Sequence, residues 1–282
     1  MPTFAVDHPV HLQVDVPFAN LHVVASERDD VVVTAVPSDP GRSGSVRAAE
    51  EIRVDRDGDT VTISYPGSWK QWVLPFAAGT ADISVELPAG SELRGKTGSL
   101  YAEGALGVVE MSLAAGDARV DDAARLVLKV AAGSVTVGRT SGSAQISASA
   151  GSVRLDHVSG DSSVKAANGT VSVGTVTGSL TVRGSNGDIS VSRSLGTVTA
   201  RSAHASIRVD RLEAGTADLT TSFGTIDVGV PEGTAAYLDL SCEHGTVRNQ
   251  LTPTEGPVAD ESTAELRAGT GYGDVVVRRP LA

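Results

Sequence analysis

Apolar and polar residues alternate along residues 133–204, and the alternation restarts every eighteen residues. The four successive segments read GSVTVGRTSGSAQISASA, GSVRLDHVSGDSSVKAAN, GTVSVGTVTGSLTVRGSN and GDISVSRSLGTVTARSAH. Apolar residues stand two apart in each segment, which is the period of a strand with one buried face. A helix is excluded because no apolar set recurs at intervals of three and four residues. The residues predicted to be buried, each stacked on its equivalent one coil away, are Val171, Val173, Val182, Ile189 and Val191.

Each segment divides into two halves of nine residues, because Gly142, Gly160, Gly178 and Gly196 restart the phrase. We expect these glycines at corners, where glycine takes positive φ without steric cost. Strand, corner, strand and corner form one rung of a parallel β-solenoid, with rungs about 4.8 Å apart. The sequence therefore predicts an all-β fold, a parallel β-solenoid with coils of eighteen residues. Since parallel crossovers are mostly right-handed, we expect a right-handed coil.

The regions that flank these coils keep the strand signal but lose the strict period. Near the N-terminus the pattern predicts strands at 12–16, 21–24 and 31–36, a loop at 37–44, and a hairpin formed by 52–54 and 61–63. Antiparallel pairing here would cover an edge that otherwise invites pairing with another chain. We therefore assign 1–95 to an N-terminal β cap and 96–282 to solenoid coils and a C-terminal cap, effectively one domain. The last full turn is predicted to start at Gly245, with a polar loop at 253–263.

Composition and charge narrow the class of protein further. Aromatic residues make up only 4%, which suits narrow coil interiors filled by Val, Ile, Leu and Ala. The net charge of −11 argues against nucleic acid as a partner. The single Cys242 excludes an intramolecular disulfide and a multi-cysteine metal site. Neither a signal peptide nor an apolar run of the ~18 residues needed to span a membrane is recognisable, so we expect a cytoplasmic protein.

No motif for catalysis, metal binding or cofactor binding is recognisable, and we predict no catalytic residues, no metal ligands and no cofactor. The chain lacks an H-E-x-x-H motif, a G-x-S-x-G motif and a phosphate-binding loop. The histidines are scattered at His8, His11, His22, His157, His204 and His244. Asp161, Asp188, Asp218 and Asp227 occupy different coils and different positions within them, which does not indicate the carboxylate pair, about 5–9 Å apart, of a glycosidase.

An aromatic segment stands out near the N-terminus. Tyr65, Trp69, Trp72 and Phe76 fall within twelve residues and include both tryptophans of the chain. Trp and Tyr are enriched in interface hot spots because they bury a large area at low entropic cost. The segment either folds over the end of the solenoid as a plug or binds a partner, and we favour the plug.

A second feature is a column of basic residues, which we call the basic ladder. Alignment of the coils puts Lys129, Lys165, Arg183 and Arg201 at one outward position, with Ser147 filling the gap. Stacked rungs would bring the last three within about 5 Å of one another. The ladder predicts either an anion-binding stripe or a solvated face compensated by nearby acids, and we favour the solvated face.

The repeated G-[STD]-[VI]-x-V phrase, the ELPAG of 86–90 and the closing GYGDVVVR resemble the bacterial toast-rack family across essentially the whole chain. The soluble actinobacterial members are the most similar in style. This family consists of β-strand-repeat domains without an assigned function, some of which carry the label adhesin. The resemblance implies a β-solenoid, an association with envelope-stress systems in some members, and no established catalytic residues.

Three functional hypotheses follow. The first is a non-catalytic, monomeric scaffold that binds another protein, because repeat proteins commonly bind partners through their extended surfaces. The alternative is a self-assembling structural protein, polymer-forming or adhesin-like, joined through the solenoid ends. A carbohydrate-active enzyme is the third, and it rests on fold analogy alone.

Overall fold

The computed structural model describes residues 2–66, 79–252, 256 and 261–280. Strands with inward apolar and outward polar residues dominate this part of the chain, which confirms the all-β class. The chain divides into two compact units, Met1–Thr136 and Val137–Ala282. Among the described residues, none of the helical structure is long and apolar enough to cross a membrane.

Strand β2 is the centre of the first unit. The elements of this unit are β1 (Thr3–Ala5), β2 (His11–Ser26), β3 (Asp30–Pro37), α1 (Ser43–Glu51), β4 (Arg53–Asp57), β5 (Thr60–Ser64), β6 (Ala81–Pro88), β7 (Glu92–Ala115) and β8 (Ala118–Ala132). The two halves of β2 pair in parallel with β5 and β6 along one edge and with β7 along the other. The strands predicted at 12–16 and 21–24 are therefore one strand, with a register shift between Val16 and Asn20.

Antiparallel pairing occurs at one edge of this unit, as the fold prediction expected, while the assignment of 1–95 as a cap stays a prediction. Strand β3 pairs antiparallel with both β6 and β1. Strands β4 and β5 form the predicted hairpin, in which Val54 lies opposite Ile63.

Helix α1 is absent from the sequence prediction, which placed a loop over its first two residues. The helix packs against β3 and β6 and buries Ser45 and Ala48. It approaches so closely that a Cβ on Gly79 would lie 2.0 Å from the backbone of Gly44. A nine-residue helix with a small apolar face gives little periodic signal, and its stability comes from this packing.

The second unit is formed by successive parallel coils. Its strands are β9 (Val135–Thr140), β10 (Ala144–Ala150), β11 (Val153–Val158), β12 (Asp161–Asn168), β13 (Val171–Val176), β14 (Ser179–Asn186), β15 (Ile189–Ser194), β16 (Thr197–His204), β17 (Ile207–Leu212), β18 (Gly215–Phe223), β19 (Ile226–Gly229), β20 (Thr234–His244), β21 (Val247–Asn249), β22 (Ser262–Tyr272) and β23 (Val275–Arg278).

The eighteen-residue register is confirmed in this unit. Strands β10, β12, β14 and β16 form one parallel series, and β11, β13, β15 and β17 form another, with Cα partners eighteen residues apart. The predicted core is also confirmed, because Val171 is 1% exposed and the other four residues are 0% exposed.

The corner glycines have two different roles, and the prediction assigned one of them wrongly. Positive φ occurs at the glycines that open each eighteen-residue segment, such as Gly169 at 145°. The glycines that restart the phrase halfway, such as Gly160 and Gly196, do not have positive φ. They are needed for close approach instead, because a Cβ on either would lie 2.1 Å from a carbonyl oxygen of the neighbouring coil.

The C-terminal coils stack in an order that differs from their order in the chain. Strands β22 and β23 pair with β18 and β19 on one side and with β20 and β21 on the other. The prediction that a last full turn starts at Gly245 is therefore wrong. Strands β22 and β23, which come later in the chain, lie between β18 and β19 on one side and β20 and β21 on the other. As a result, Leu266 of β22 is fully buried, while Leu238, opposite it on the outer strand β20, is half-buried.

Candidate binding surfaces

The basic ladder exists in the second unit as a column of three side chains. Lys165 pairs in register with Arg183, and Arg183 pairs in register with Arg201. All three are exposed. Within the described residues, Lys165 and Arg183 form no ion pair, while the Arg201 Nη2 lies 3.8 Å from the Asp218 Oδ2. Two of the three positive charges are therefore available to an anionic ligand.

Lys129, the fourth predicted member, belongs to the first unit. It is exposed on β8, beside Ser112 of β7.

A trough formed by three strands lies next to the basic ladder, in the same register. The column that contains Arg201 continues in register through Thr220 on β18, Gly269 on β22 and Ser241 on β20. Gly269 and Gly271 carry no side chains, so the backbone of β22 forms the floor of a groove of about 550 Å³. We call this groove the glycine-floored trough. The residues that form its walls are Thr220, Ser222, Ser241 and Glu243.

Four stacked rings border this trough, and we call them the aromatic column. His204 stacks on Phe223 with ring centroids 5.0 Å apart, and Phe223 stacks on Tyr272 at 4.9 Å. His244 completes the column, 4.5 Å from Tyr272. Asn186 extends the same column and donates a hydrogen bond of 3.0 Å to the Asn168 side chain. Phe223 and Tyr272 are 46% and 51% exposed, so the ring edges form an apolar border to the trough.

Sequence reasoning missed the aromatic column, although part of its signal was present. Asn168, Asn186 and His204 end three successive eighteen-residue segments. Tyr272 and His244 could not be aligned with them, because the C-terminal coils stack out of order.

Of the aromatic segment of the first unit, Tyr65 lies within the described residues. Trp69, Trp72 and Phe76 lie outside the described residues. Tyr65 is half-buried, and its hydroxyl donates a hydrogen bond of 2.9 Å to the Glu51 Oε2. It lines a small cavity with Val16, Ala48 and Ile52. The choice between plug and interface stays a prediction.

Three of the four acids considered for glycosidase chemistry have structural partners. The Asp188 carboxylate accepts a hydrogen bond of 3.0 Å from the backbone N–H of Ser206, one coil further on. Asp227 pairs with Arg278 at 2.9 Å, and Asp218 faces Arg201. The Asp274 carboxylate likewise accepts a hydrogen bond from the backbone N–H of a neighbouring coil, that of Thr246, and a second from the Thr246 hydroxyl. These hydrogen bonds lower the pKa of the Asp274 carboxyl.

The N-terminal histidines form carboxylate pairs at the surface. His8 lies 2.7 Å from Asp7 and 3.0 Å from Asp59, and these hydrogen bonds, that of Asp7 foremost, raise the pKa of His8. His11 pairs with Glu92 at 3.1 Å, and His22 pairs with Glu103 at 3.1 Å. Across the described ranges, no three His, Cys, Asp or Glu side chains converge as a metal site would require.

The fold and these surfaces define a parallel β-solenoid whose candidate sites are open grooves on outward strand faces. A family model described as Toastrack DUF4097 matches residues 10–278. The chain therefore belongs to the Toastrack family, as its repeat phrase and closing segment indicated. No curated protein matches it.

Several solved structures are similar to the chain at low identity. A "putative adhesin" from Parabacteroides merdae is 10% identical, with 98% of this chain and 94% of that chain covered and a TM-score of 0.36. A "putative adhesin" from Bacteroides fragilis is 12% identical over 98% and 95% of the two chains, with a TM-score of 0.29.

Proposed function

We propose that this chain is a non-catalytic binding protein whose second unit holds a protein partner. The observation that carries the proposal is the alignment of the basic ladder, the glycine-floored trough and the aromatic column on one face. Strand register places them side by side, from Lys165 and Arg183 through Gly269 to the exposed ring of Tyr272. We call this composite surface the binding face.

The chemistry of the binding face supports one kind of partner. Side chains of the partner would enter the trough, whose volume lies in the range of specific sites. The edges of Phe223 and Tyr272 offer the kind of aromatic contact that dominates interface energetics. Lys165 and Arg183 would pair with carboxylates or phosphates of the partner and guide its approach. A protein surface with an acidic group beside apolar side chains fits all three features.

Co-purification from the native cell tests the proposal. We expect a partner with the wild-type chain and its loss with both Arg183→Glu and Phe223→Ala, since these residues lie at opposite borders of the binding face. Arg154→Glu is the matched control, because Arg154 is similarly exposed but lies on β11 and pairs with Asp156. Retention of the same partners by both variants would exclude this face.

Self-assembly is a second candidate function, and the C-terminal edge favours it. Among the described strands, β20 pairs with β22 along one edge and with none along the other. Its inward residues Leu238 and Leu240 are half-buried, and Val247 of β21 is 45% exposed. Unpaired edges with apolar residues are templates for association between chains.

Light scattering over a concentration series separates the two functions. Self-assembly requires a mass that grows with protein concentration and a reduced mass for Val247→Lys, because an edge lysine opposes strand pairing. A constant monomer mass for the wild-type chain would eliminate this candidate.

A further inference from the structure

The first unit carries a groove that is separate from the binding face. Strands β3, β6, β2 and β7 lie side by side there, and their outward residues surround a volume of about 470 Å³. Strand register orders these residues in rows. One row runs Val36, Asp82, Asn20 and Ser99, and the next runs Thr34, Ser84, His22 and Tyr101. We call this site the Tyr101 groove.

Tyr101 supplies an apolar surface in a polar surrounding. Its side chain is 42% exposed although it projects from the sheet between two neighbouring strands. In the described part of the chain, its hydroxyl takes part in no hydrogen bond within the unit. A ring held by a sheet and open to water is a rigid platform for the C–H groups of a ligand.

A hydrogen-bonded network fixes the polar side chains beside this ring. The Asp82 Oδ1 accepts hydrogen bonds from the Asn20 amide at 2.7 Å and from the Ser38 hydroxyl at 2.6 Å. The Ser99 hydroxyl in turn donates to the Asn20 Oδ1 at 2.6 Å. Both of these hydrogen bonds to Asp82 use the Oδ1, which leaves the Oδ2 to accept from a ligand. Such a network lowers the cost of binding, because the groups are ordered before the ligand arrives.

The groups around the groove select one class of ligand. Asp82 and Glu103 oppose an anion, and the net charge of −11 strengthens that effect. Carboxylate, amide, imidazole and hydroxyl groups together can accept from and donate to several ligand hydroxyls. The ring of Tyr101 requires a ligand with an apolar face. We propose that the Tyr101 groove binds a neutral saccharide, whose hydroxyls meet the polar network while its C–H face lies on the ring.

A basic peptide is the competing ligand, and the hydrogen bonds disfavour it. A cation would need these carboxylates as direct partners, but the Glu103 Oε1 already lies within hydrogen-bond distance of the His22 Nε2, 3.1 Å away. Asp82 is already engaged by two donors. The neutral groups Thr34, Asn20 and Ser84 add hydrogen-bonding capacity that a lysine or arginine would leave unused.

Binding of three neutral hexasaccharides tests the proposal: maltohexaose, cellohexaose and chitohexaose, each added to the full chain and followed by calorimetry and saturation-transfer NMR. We expect at least one to bind with a millimolar or lower Kd. Tyr101→Ala should weaken that binding by at least about tenfold, and Tyr101→Phe should keep it within about threefold because the ring remains. Tyr237→Ala is the matched control, since Tyr237 is an exposed tyrosine on β20 and its loss should leave binding unchanged.

The outcomes that contradict the proposal are equally specific. Failure of all three hexasaccharides to bind at about 10 mM would overturn it. Binding that survives in Tyr101→Ala would place the saccharide elsewhere. Binding of polylysine that Asp82→Asn abolishes, without saccharide binding, would identify a site for basic peptides instead. Each result leaves the proposal on the binding face untouched, because that test uses residues of the second unit.

Discussion

Replacement of Val173 by Asp tests the eighteen-residue register most directly. Val173 is fully buried and lies in register between Leu155 of the preceding coil and Val191 of the following one. An aspartate here would place its carboxyl between two apolar side chains at the centre of a coil. The neighbouring Ser172 points outward beside Arg154, so the two adjacent positions differ only in the face on which they lie.

The expected decrease in the free energy of unfolding has two parts. Removal of the buried valine side chain costs about 1.5–3 kcal/mol. Protonation of a carboxyl with an ordinary pKa of about 3.9, at pH 7, costs about 4 kcal/mol, since each pKa unit corresponds to about 1.4 kcal/mol. The free energy of unfolding should therefore fall by more than about 5 kcal/mol, which is comparable to the whole stability of a typical domain.

The pH dependence identifies the cause of the loss. Burial raises the pKa of the new carboxyl in the folded state above its unfolded value. The electrostatic part of the loss is therefore complete above the folded pKa and disappears as the pH falls below about 4. Urea denaturation followed by circular dichroism at pH 7 and pH 4 should show partial recovery at the lower pH. Ser172→Asp should remain close to wild type, and a Val173→Asp variant of near wild-type stability at pH 7 would refute the register.

Four further predictions concern single features of the chain. Gly169→Ala should lower the unfolding free energy by at least about 2 kcal/mol in urea denaturation, because its Cβ would lie 1.9 Å from a backbone oxygen of the neighbouring coil at positive φ. In an NMR titration, the His8 imidazole should lose its proton above its ordinary pKa of about 6.5, and its contribution to stability, present below that pH, should vanish as the pH rises through the folded pKa. Arg183→Glu should weaken binding of heparin, used as an anionic probe, and flatten its salt dependence if the basic ladder binds anions; an unchanged salt profile would leave the ladder as a solvated face. Joint replacement of Trp69 and Trp72 by Ala should lower the free energy of unfolding by roughly 3–5 kcal/mol per ring if they plug the solenoid, and the melting temperature should fall with it. Red-shifted, readily quenched tryptophan emission in the wild-type chain would contradict the plug.

The core of the second unit could be predicted because residues close together in the sequence determine which side chains are buried. Val171 and Val173 stand two residues apart, and strand geometry alone sends both to the same face. The fixed period then aligns each with its partner in the next coil. Helix α1 could not be predicted in the same way, because only the strands that it covers stabilise so short a helix.

The candidate sites also differ in whether the sequence repeat could predict them. The basic ladder was predictable because Lys165, Arg183 and Arg201 share one position of an uninterrupted repeat. The Tyr101 groove was not, since its outward residues come from strands related by no common period.

The sequence by itself determined the all-β class, the coil length, the inward set of side chains and the resemblance to the Toastrack family. These properties depend on alternation and spacing, which act over a few residues and repeat. The tertiary structure decided which strands are neighbours wherever the period fails. At the C-terminus, β22 lies between β18 and β20, which leaves its inward Leu266 fully buried and Leu238 of β20 half-buried. That stacking order brings Phe223, Tyr272 and the floor of the trough onto one face. The sequence alone did not show it, because non-local pairing is settled by the free energy of packing rather than by position in the chain.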